Sequence, residues 1–222
     1  MELINRMTNR IQNFIDELNI QIGTNLQKID FQFNTEYGWP EFDPLRDEIC
    51  KCLICDFCQA SITLTNHLLE NFLKTMLIYH ETVANNDNSD GNILYMFKPN
   101  VDKFDGLDLS QTLGRAKGKG LITKKQWKVL DDYRDNYRNA YSHAEKKKIF
   151  KDLTIATNVA ELKDNELKTS DYERTPIIDV LSGQGIAQTL LSKRIGFDYF
   201  ISVDTIIRDV IVRFKNIRTK QD

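Results

Sequence analysis

The residues most able to do chemistry lie at positions 138–143, in the stretch Arg-Asn-Ala-Tyr-Ser-His. Arg138 carries a permanent positive charge and a planar fork of donors that fits a phosphate group. His143 is one of only three histidines in the chain, and an imidazole transfers protons near neutral pH. Together the two side chains are the minimum set for cleaving a phosphodiester without a metal. A solvated helix face with a capping histidine is the alternative explanation of this spacing.

A single helix over about 124–149, starting at a capping box at 123–126, is expected to position this motif. Asn139 and His143 are four residues apart, so they share a helix face and Asn139 can orient the imidazole. Arg138 and His143 are five apart, which places them roughly 140° apart around a regular helix. One straight helix therefore does not aim both at one phosphate. Either the helix distorts here or a second chain completes the site.

Three further side chains are candidates for substrate binding: Arg134, Tyr141 and Lys146. Arg134 lies one turn before Arg138 and extends a phosphate-binding stripe or pairs with a neighbouring aspartate. Lys146 begins a run of three lysines, which steers RNA or forms a solvated helix end. Tyr141 shares a face with Tyr137 and can stack on a base, although such pairs are more often found in a core or an interface.

The remaining elements also read as helices. Apolar spacings of three and four predict a helix over 3–28, and Asp43-Pro44 begins a long helix that ends near residue 83. Residues 29–42 are expected to be irregular, 84–105 to form a polar loop followed by a short segment of undecided structure, and 151–183 to be the least regular region, with room for short helical pieces. Further helices are predicted at about 108–118, 184–194 and 197–216, the last two separated at Gly196. With no strand pattern, the prediction is an all-α, single-domain bundle spanning 1–222.

Composition limits the classes of function. The formal net charge is −2, so nucleic acid would have to be bound by a local basic patch. No apolar run reaches the roughly 18 residues of a membrane span, and the N-terminus lacks an apolar signal core. A soluble, cytoplasmic protein without membrane contact is therefore expected.

All four cysteines, Cys50, Cys52, Cys55 and Cys58, lie within nine residues. This spacing is typical of metal or iron–sulfur ligands. The window lies inside the predicted long helix, where sulfurs fan out by about 100° per residue and cannot close a tetrahedron. The four residues are therefore predicted to be reduced core side chains, and a metal shared between subunits stays open as the alternative.

Three stretches of the chain carry a resemblance to a known family. They are the L-E-x-x-L-K run within 60–74, the segment 109–122, and R-N-x-x-x-H at 138–143. Through these stretches residues 43–150 resemble the HEPN superfamily, all-helical domains of bacterial toxin–antitoxin, abortive-infection and CRISPR-associated proteins. Glu70 is the acidic residue of the first stretch; it can reach the motif helix or only bridge Lys74.

The resemblance implies a metal-independent endoribonuclease that works as a homodimer, with RNA as its substrate and no cofactor. Arg138 is then the phosphate-binding cation, His143 the proton-transfer group and Asn139 the polar residue beside the arginine. The ribose 2′-hydroxyl attacks its own phosphate, which DNA cannot do. An antitoxin or regulatory protein is a possible partner. The alternative is a non-catalytic helical module that binds RNA, a nucleotide or a partner protein.

Overall fold

The computed structural model describes residues 2–84, 96–142, 145–157, 160–163, 166–169 and 173–218, and they form a mostly helical single domain. The helices before the motif are α1 (Glu2–Leu26), α2 (Asp30–Asn34), α3 (Asp43–Ile54), α4 (Cys58–Ala84), α5 (Lys98–Phe104), α6 (Leu109–Gly118) and α7 (Lys124–Tyr133). A π-helical turn (Arg134–Asn139), α8 (Ala140–Ser142) and α9 (Lys146–Phe150) follow. Four strands, β1 (Thr154–Thr157), β2 (Ala160–Lys163), β3 (Glu166–Thr169) and β4 (Glu173–Pro176), precede a 3₁₀ turn (Ile177–Asp179) and α10 (Leu181–Arg218). No described helix combines the length and the apolar character needed to span a membrane.

Helices α4 and α10 pack along each other and form the centre of the fold, with α3, α6 and α7 around them. Both carry apolar residues at spacings of three and four, which places these side chains on one face. The fully buried members include Leu68, Leu69, Phe72, Leu73 and Met76 on α4, and Phe200, Val203, Ile207 and Val210 on α10. The motif segment lies against this pair, so the core fixes its position.

The long helix predicted from residue 43 to about 83 is interrupted, and that prediction is wrong. Asp56 adopts a left-handed conformation with φ of 64° between α3 and α4. The Phe57 N–H donates to the Cys52 carbonyl at 2.7 Å and the Asp56 N–H to the Leu53 carbonyl at 3.0 Å. This is the hydrogen-bond pattern of a Schellman cap. Glycine or asparagine normally occupies the left-handed position of such a cap, so the aspartate at position 56 did not indicate a helix end in the sequence.

The four cysteines therefore flank a helix break. Cys50 and Cys58 are buried, as predicted, whereas Cys52 and Cys55 are half-buried. Burial raises the pKa of both buried thiols to about 12. Across the described ranges, no group of three or more His, Cys, Asp or Glu side chains converges as metal ligands would.

The sequence predicted that Gly196 separates two helices, and that prediction is wrong. Helix α10 runs through this residue without a break. The residue faces α4: a Cβ added there would lie 3.2 Å from the Cys58 Cβ and 3.4 Å from the Ser61 Oγ. Its function in the fold is thus close helix packing. The helix tolerates the glycine because the contact with α4 outweighs a propensity cost of about 1 kcal/mol.

The mostly helical class of the fold is as predicted, but the expectation that no strand would form is wrong. Strand β1 pairs antiparallel with β4, with Thr154 opposite Pro176, and β2 pairs antiparallel with β3. Ile155 of β1 packs on a second, smaller apolar cluster that contains Ile149, Phe150 and Ile177. Each strand has only four residues, which is too short for a period of two to stand out in the sequence. The pairing of β1 with β4 is also non-local, so no hairpin signal marks it.

Candidate functional site

The motif segment is not the single helix predicted over 124–149. Helix α7 begins at its capping box, in which the Gln126 N–H donates to the Thr123 hydroxyl at 3.1 Å. The backbone then widens into the π-helical turn at 134–139 before α8, and α9 is a separate short helix. Single π turns inside α-helices are rare and occur frequently at functional sites. The spacing of Arg138 and His143 left open that the helix distorts at the motif, and the π-helical turn is such a distortion.

Arg138 is held from two sides within this turn. Its Nη2 lies 3.5 Å from the Glu70 Oε2 on α4, and its Nη1 donates to the Asn139 Oδ1 at 3.3 Å. The other Glu70 oxygen pairs with the Lys74 Nζ at 3.1 Å. Glu70 thus both reaches the motif segment and bridges Lys74, the two contacts that the sequence offered as alternatives. The Arg138 and Glu70 side chains are 28% and 24% exposed, so an incoming anion can reach the guanidinium.

A second set of charges adjoins the motif through Asp135. The Lys148 Nζ lies 2.9 Å from the Asp135 Oδ1 and 3.2 Å from the Glu145 Oε2. The hydrogen bond and charge of Lys148 lower the pKa of Asp135, with smaller contributions from Arg134 and the Asn139 amide. Asn139 therefore connects Arg138 with Asp135. Sequence reasoning missed the pair between Asp135 and Lys148, because their separation has no helical periodicity.

The predicted substrate-binding residues have different environments. Arg134 pairs with Asp131 at 3.1 Å, which is the local pairing that the sequence offered as an alternative. Its Nε is buried and has no hydrogen-bond partner among the described residues. Lys146 is exposed as the first residue of α9, whereas Lys148 of the same lysine run contacts the motif segment. Phosphate binding by Arg134 and Lys146 stays a prediction.

The motif tyrosines have structural contacts as well. The Tyr133 and Tyr137 rings lie 5.0 Å and 4.9 Å from the buried Tyr199 ring, centroid to centroid. Tyr141 is half-buried, and burial, with a smaller contribution from Tyr137, raises its pKa to about 12. Tyr137 and Tyr141 also line a cleft of about 390 Å³, together with Asn136, Lys148 and Leu191. Tyr141 is therefore placed both to support the fold and to contact a ligand.

The structure brings Arg138 and Asn139 together with Glu70, Asp135 and Lys148. His143 lies outside the described residues, so its role stays a prediction from the sequence. The cleft lined by Tyr141 adjoins this cluster through Lys148, which both lines it and pairs with Asp135. The arrangement can bind an anion at Arg138 and an apolar or aromatic group beside Tyr141.

No family model matches the chain, and no significant match was found among curated proteins or solved structures. The resemblance to the HEPN superfamily therefore rests on the residues of this chain alone. What the site does must be argued from its own chemistry and geometry.

Proposed function

We propose that the chain is a metal-independent endoribonuclease of the HEPN type. The observation that carries the proposal is the π-helical turn that holds the Arg138 guanidinium against Glu70 and Asn139 at a partly exposed position. An arginine held in this way is a preorganised binding group for a phosphate. His143 follows five residues later in the sequence and supplies the proton-transfer group that the chemistry needs.

The reaction begins when His143 takes the proton of a ribose 2′-hydroxyl. The freed oxygen forms a bond to the adjacent phosphorus, and the bond from phosphorus to the 5′-oxygen breaks. The leaving 5′-oxygen takes up the proton that His143 now carries, which gives a 5′-hydroxyl and a 2′,3′-cyclic phosphate and returns His143 to its neutral form. Arg138 stabilises the negative charge that develops on the phosphate oxygens. Because DNA has no 2′-hydroxyl, the substrate is RNA.

The proposed active form is a homodimer in which two copies of the 124–149 segment meet. Each copy then contributes an Arg138 and a His143 to a shared groove. The exposed Lys146 and the half-buried Tyr141 lie close to the motif in sequence, and in the proposed dimer they contact RNA in this groove. Following the resemblance, the setting is defence or a toxin–antitoxin system, with an antitoxin or regulatory protein as the partner that restrains cleavage.

One observation favours a second function, a non-catalytic module that binds RNA, a nucleotide or a partner protein. Arg138 already contacts the Glu70 carboxylate, and a phosphate must compete with that contact. The net charge of −2 adds no general attraction for RNA. In such a module the Arg138–Glu70 pair would fix the motif segment, and the ligand would occupy the neighbouring cleft.

Substitutions at the two motif residues test the enzyme proposal on single-stranded RNA. His143→Ala should lower the cleavage rate by about 10²–10⁴, the usual loss when a positioned proton-transfer group is removed. Arg138→Ala should cost a similar factor. Arg138→Lys should recover little, because an ammonium cannot form the bidentate fork. Matched controls are His67→Ala and Arg194→Lys, since both residues are exposed and lie on other helices.

The controls should retain wild-type cleavage, and every variant should keep the helical content and unfolding midpoint of the wild type. Cleavage that survives both His143→Ala and Arg138→Ala would exclude the proposed mechanism. RNA binding without cleavage, weakened by Arg138→Ala alone, would favour the binding module.

A further inference from the structure

Helix α1 carries an apolar stripe that no other described part of the chain covers. Five side chains on this stripe are exposed: Met7 by 59%, Ile11 by 58%, Phe14 by 47%, Ile15 by 43% and Ile22 by 38%. Their spacings of three and four place them on one face over four turns. Single exposed apolar residues are ordinary on a protein surface, but a contiguous row of this length marks an interaction surface.

The same stripe has the spacing of a coiled coil. Met7, Ile11, Phe14, Leu18 and Gln21 are separated alternately by four and three residues, which is the a/d pattern of a heptad. Ile15 and Ile22 widen the stripe on one flank. The pattern thus predicts a partner helix that runs along α1 for most of its length.

Within the part of the chain that the structure describes, only the C-terminal end of this stripe is used. Asn25, the next residue of the pattern, is buried, and its Nδ2 donates to the Ile54 carbonyl at 3.3 Å. Among the described elements α1 packs mainly against α3. The part from Met7 to Ile22 has little tertiary support, and an isolated helix of that length is only marginally stable in water. A covering helix would supply the missing support.

We propose that this partner is α1 of a second copy of the chain, packed antiparallel. Charge complementarity decides both the partner and the direction. Arg10 and Glu17 are exposed, and they occupy the same flanking position one heptad apart. In an antiparallel pair Arg10 faces Glu17 of the partner subunit, and the reciprocal contact follows from the two-fold axis. In a parallel pair the same residues would instead face isoleucines.

The antiparallel arrangement also matches the apolar layers. Ile11 packs against Phe14 of the partner subunit, and Met7 packs against Leu18 of the partner subunit. The contact is therefore self-complementary in both charge and shape. It uses no residue of the motif segment, so it is independent of the proposed ribonuclease activity and of the motif-centred dimer.

A charged residue inside the seam tests the contact. Phe14→Glu in the full chain should lower the mass measured by light scattering at micromolar concentration, by dissociating every assembly that depends on α1. The wild type should have at least twice the chain mass of 25.9 kDa. Ile20→Glu is the matched control, because Ile20 is 70% exposed on the same helix but lies off the stripe. It should leave the mass unchanged.

Charge reversal tests the direction and the identity of the partner. Arg10→Glu and Glu17→Arg should each raise the dissociation constant of the α1 contact by about tenfold, because each places two like-charged pairs across it. An equimolar mixture of the two variants should associate as the wild type does, since both pairs are then restored in the mixed dimer. Within the chain Lys193 pairs with Asp56, and Glu17 makes the smallest of the contributions that raise the pKa of Lys193. The charge reversal at Glu17 should therefore leave folding unaffected.

A wild-type monomer, or a mass that Phe14→Glu leaves unchanged while circular dichroism shows a folded chain, would overturn the proposal. Failure of the mixture to restore association would overturn the antiparallel pairing of two copies. A wild-type monomer would also contradict the motif-centred homodimer, whereas the other outcomes do not bear on RNA cleavage, which is measured separately.

Discussion

Arg138 is positioned by a carboxylate from a distant helix and by the amide that follows it in sequence. The contact with Glu70 preorganises the guanidinium and also competes with an incoming phosphate. A backbone phosphodiester carries one negative charge, as a carboxylate does, and accepts a bidentate fork equally well, so an RNA backbone can exchange with Glu70 at modest cost. The local environment of Arg138 is therefore compatible with substrate binding.

At the scale of single residues, the buried hydroxyl of Tyr199 gives a stability prediction next to the site. It donates to the Asn66 Oδ1 at 2.5 Å, and both residues are buried. Tyr199→Phe leaves the Asn66 oxygen without this donor, so the free energy of unfolding should fall by about 1–3 kcal/mol. Urea denaturation measures the change. A loss below about 0.5 kcal/mol would show that the hydrogen bond contributes little to the fold.

The residue types of the site could be predicted from the sequence, but the sequence left open which partners they contact. Arg138, Asn139 and the acidic Glu70 stand out by type and spacing. The contact between Arg138 and Glu70 depends on how α4 packs against the motif segment, and nothing local encodes it. For the same reason Lys148, and not Lys146, is the lysine that contacts Asp135.

At the scale of elements, local signals predicted helices well where the end-capping residues are typical ones. The capping boxes at 108–111 and 123–126 are both present, and α6 and α7 begin there. The break at Asp56 was missed because its left-handed position usually holds glycine. Gly196 was misinterpreted for the converse reason: a glycine that ends a helix and a glycine that lets two helices approach look the same in one sequence.

Glu81 joins three elements and predicts a dependence of stability on pH. Its carboxylate lies 2.5 Å from the Nζ of Lys119, which follows α6, and 2.9 Å from the Nζ of Lys103, which lies on α5. The hydrogen bonds and charges of these lysines lower the pKa of Glu81 from 4.5 to about 2. The folded state therefore gains stability that is fully present above about pH 4.5 and is lost as the pH falls towards 2.

Glu81→Gln should consequently lower the free energy of unfolding at pH 7 by on the order of 1–3 kcal/mol, a range that allows for screening of the half-exposed lysines. The difference from the wild type should shrink as the pH approaches 2. Denaturation at pH 7 and at pH 3 measures both effects. Glu48→Gln, at an exposed glutamate on α3, is the control. Equal losses for Glu81→Gln at both pH values would contradict the assignment.

The packing of α10 on α4 can be tested at two of the three glycines in α10. Gly196→Val forces a side chain towards the Cys58 Cβ and should lower the free energy of unfolding by about 1–3 kcal/mol. Gly185→Val, on the same helix with nothing within 4 Å, should change it by less than about 0.5 kcal/mol. Both variants change helix propensity in the same way. The difference between their free energies of unfolding, measured by chemical denaturation, therefore reports the steric effect at Gly196. Similar values for the two would mean that α4 and α10 do not approach closely at Gly196.

At the scale of the whole molecule, the helical class of the fold could be predicted and the strands could not. Low glycine and proline content and three-to-four spacings indicate helices directly. Strands β1 and β4 form because distant segments meet beside a second apolar cluster, where the two strands pair with each other. A pattern of four residues cannot encode such a pairing.

The whole chain is slightly acidic, so the proposed RNA binding would depend on the local set of cations near the motif. The proposed activity is then a property of the assembled site, in which Arg138 supplies charge and His143 moves protons. No metal has a part in this chemistry as proposed, and removal of divalent ions should leave the rate unchanged.

The most direct test of the central claim is the identity of the product ends formed from single-stranded RNA in the presence of EDTA. Purified wild-type protein should give 2′,3′-cyclic phosphate and 5′-hydroxyl ends, and a strand with 2′-deoxy nucleotides throughout should stay intact. His143→Ala should give only background. Cleavage that stops in EDTA, products with 5′-phosphate ends, or equal cleavage by the wild type and His143→Ala would contradict the account.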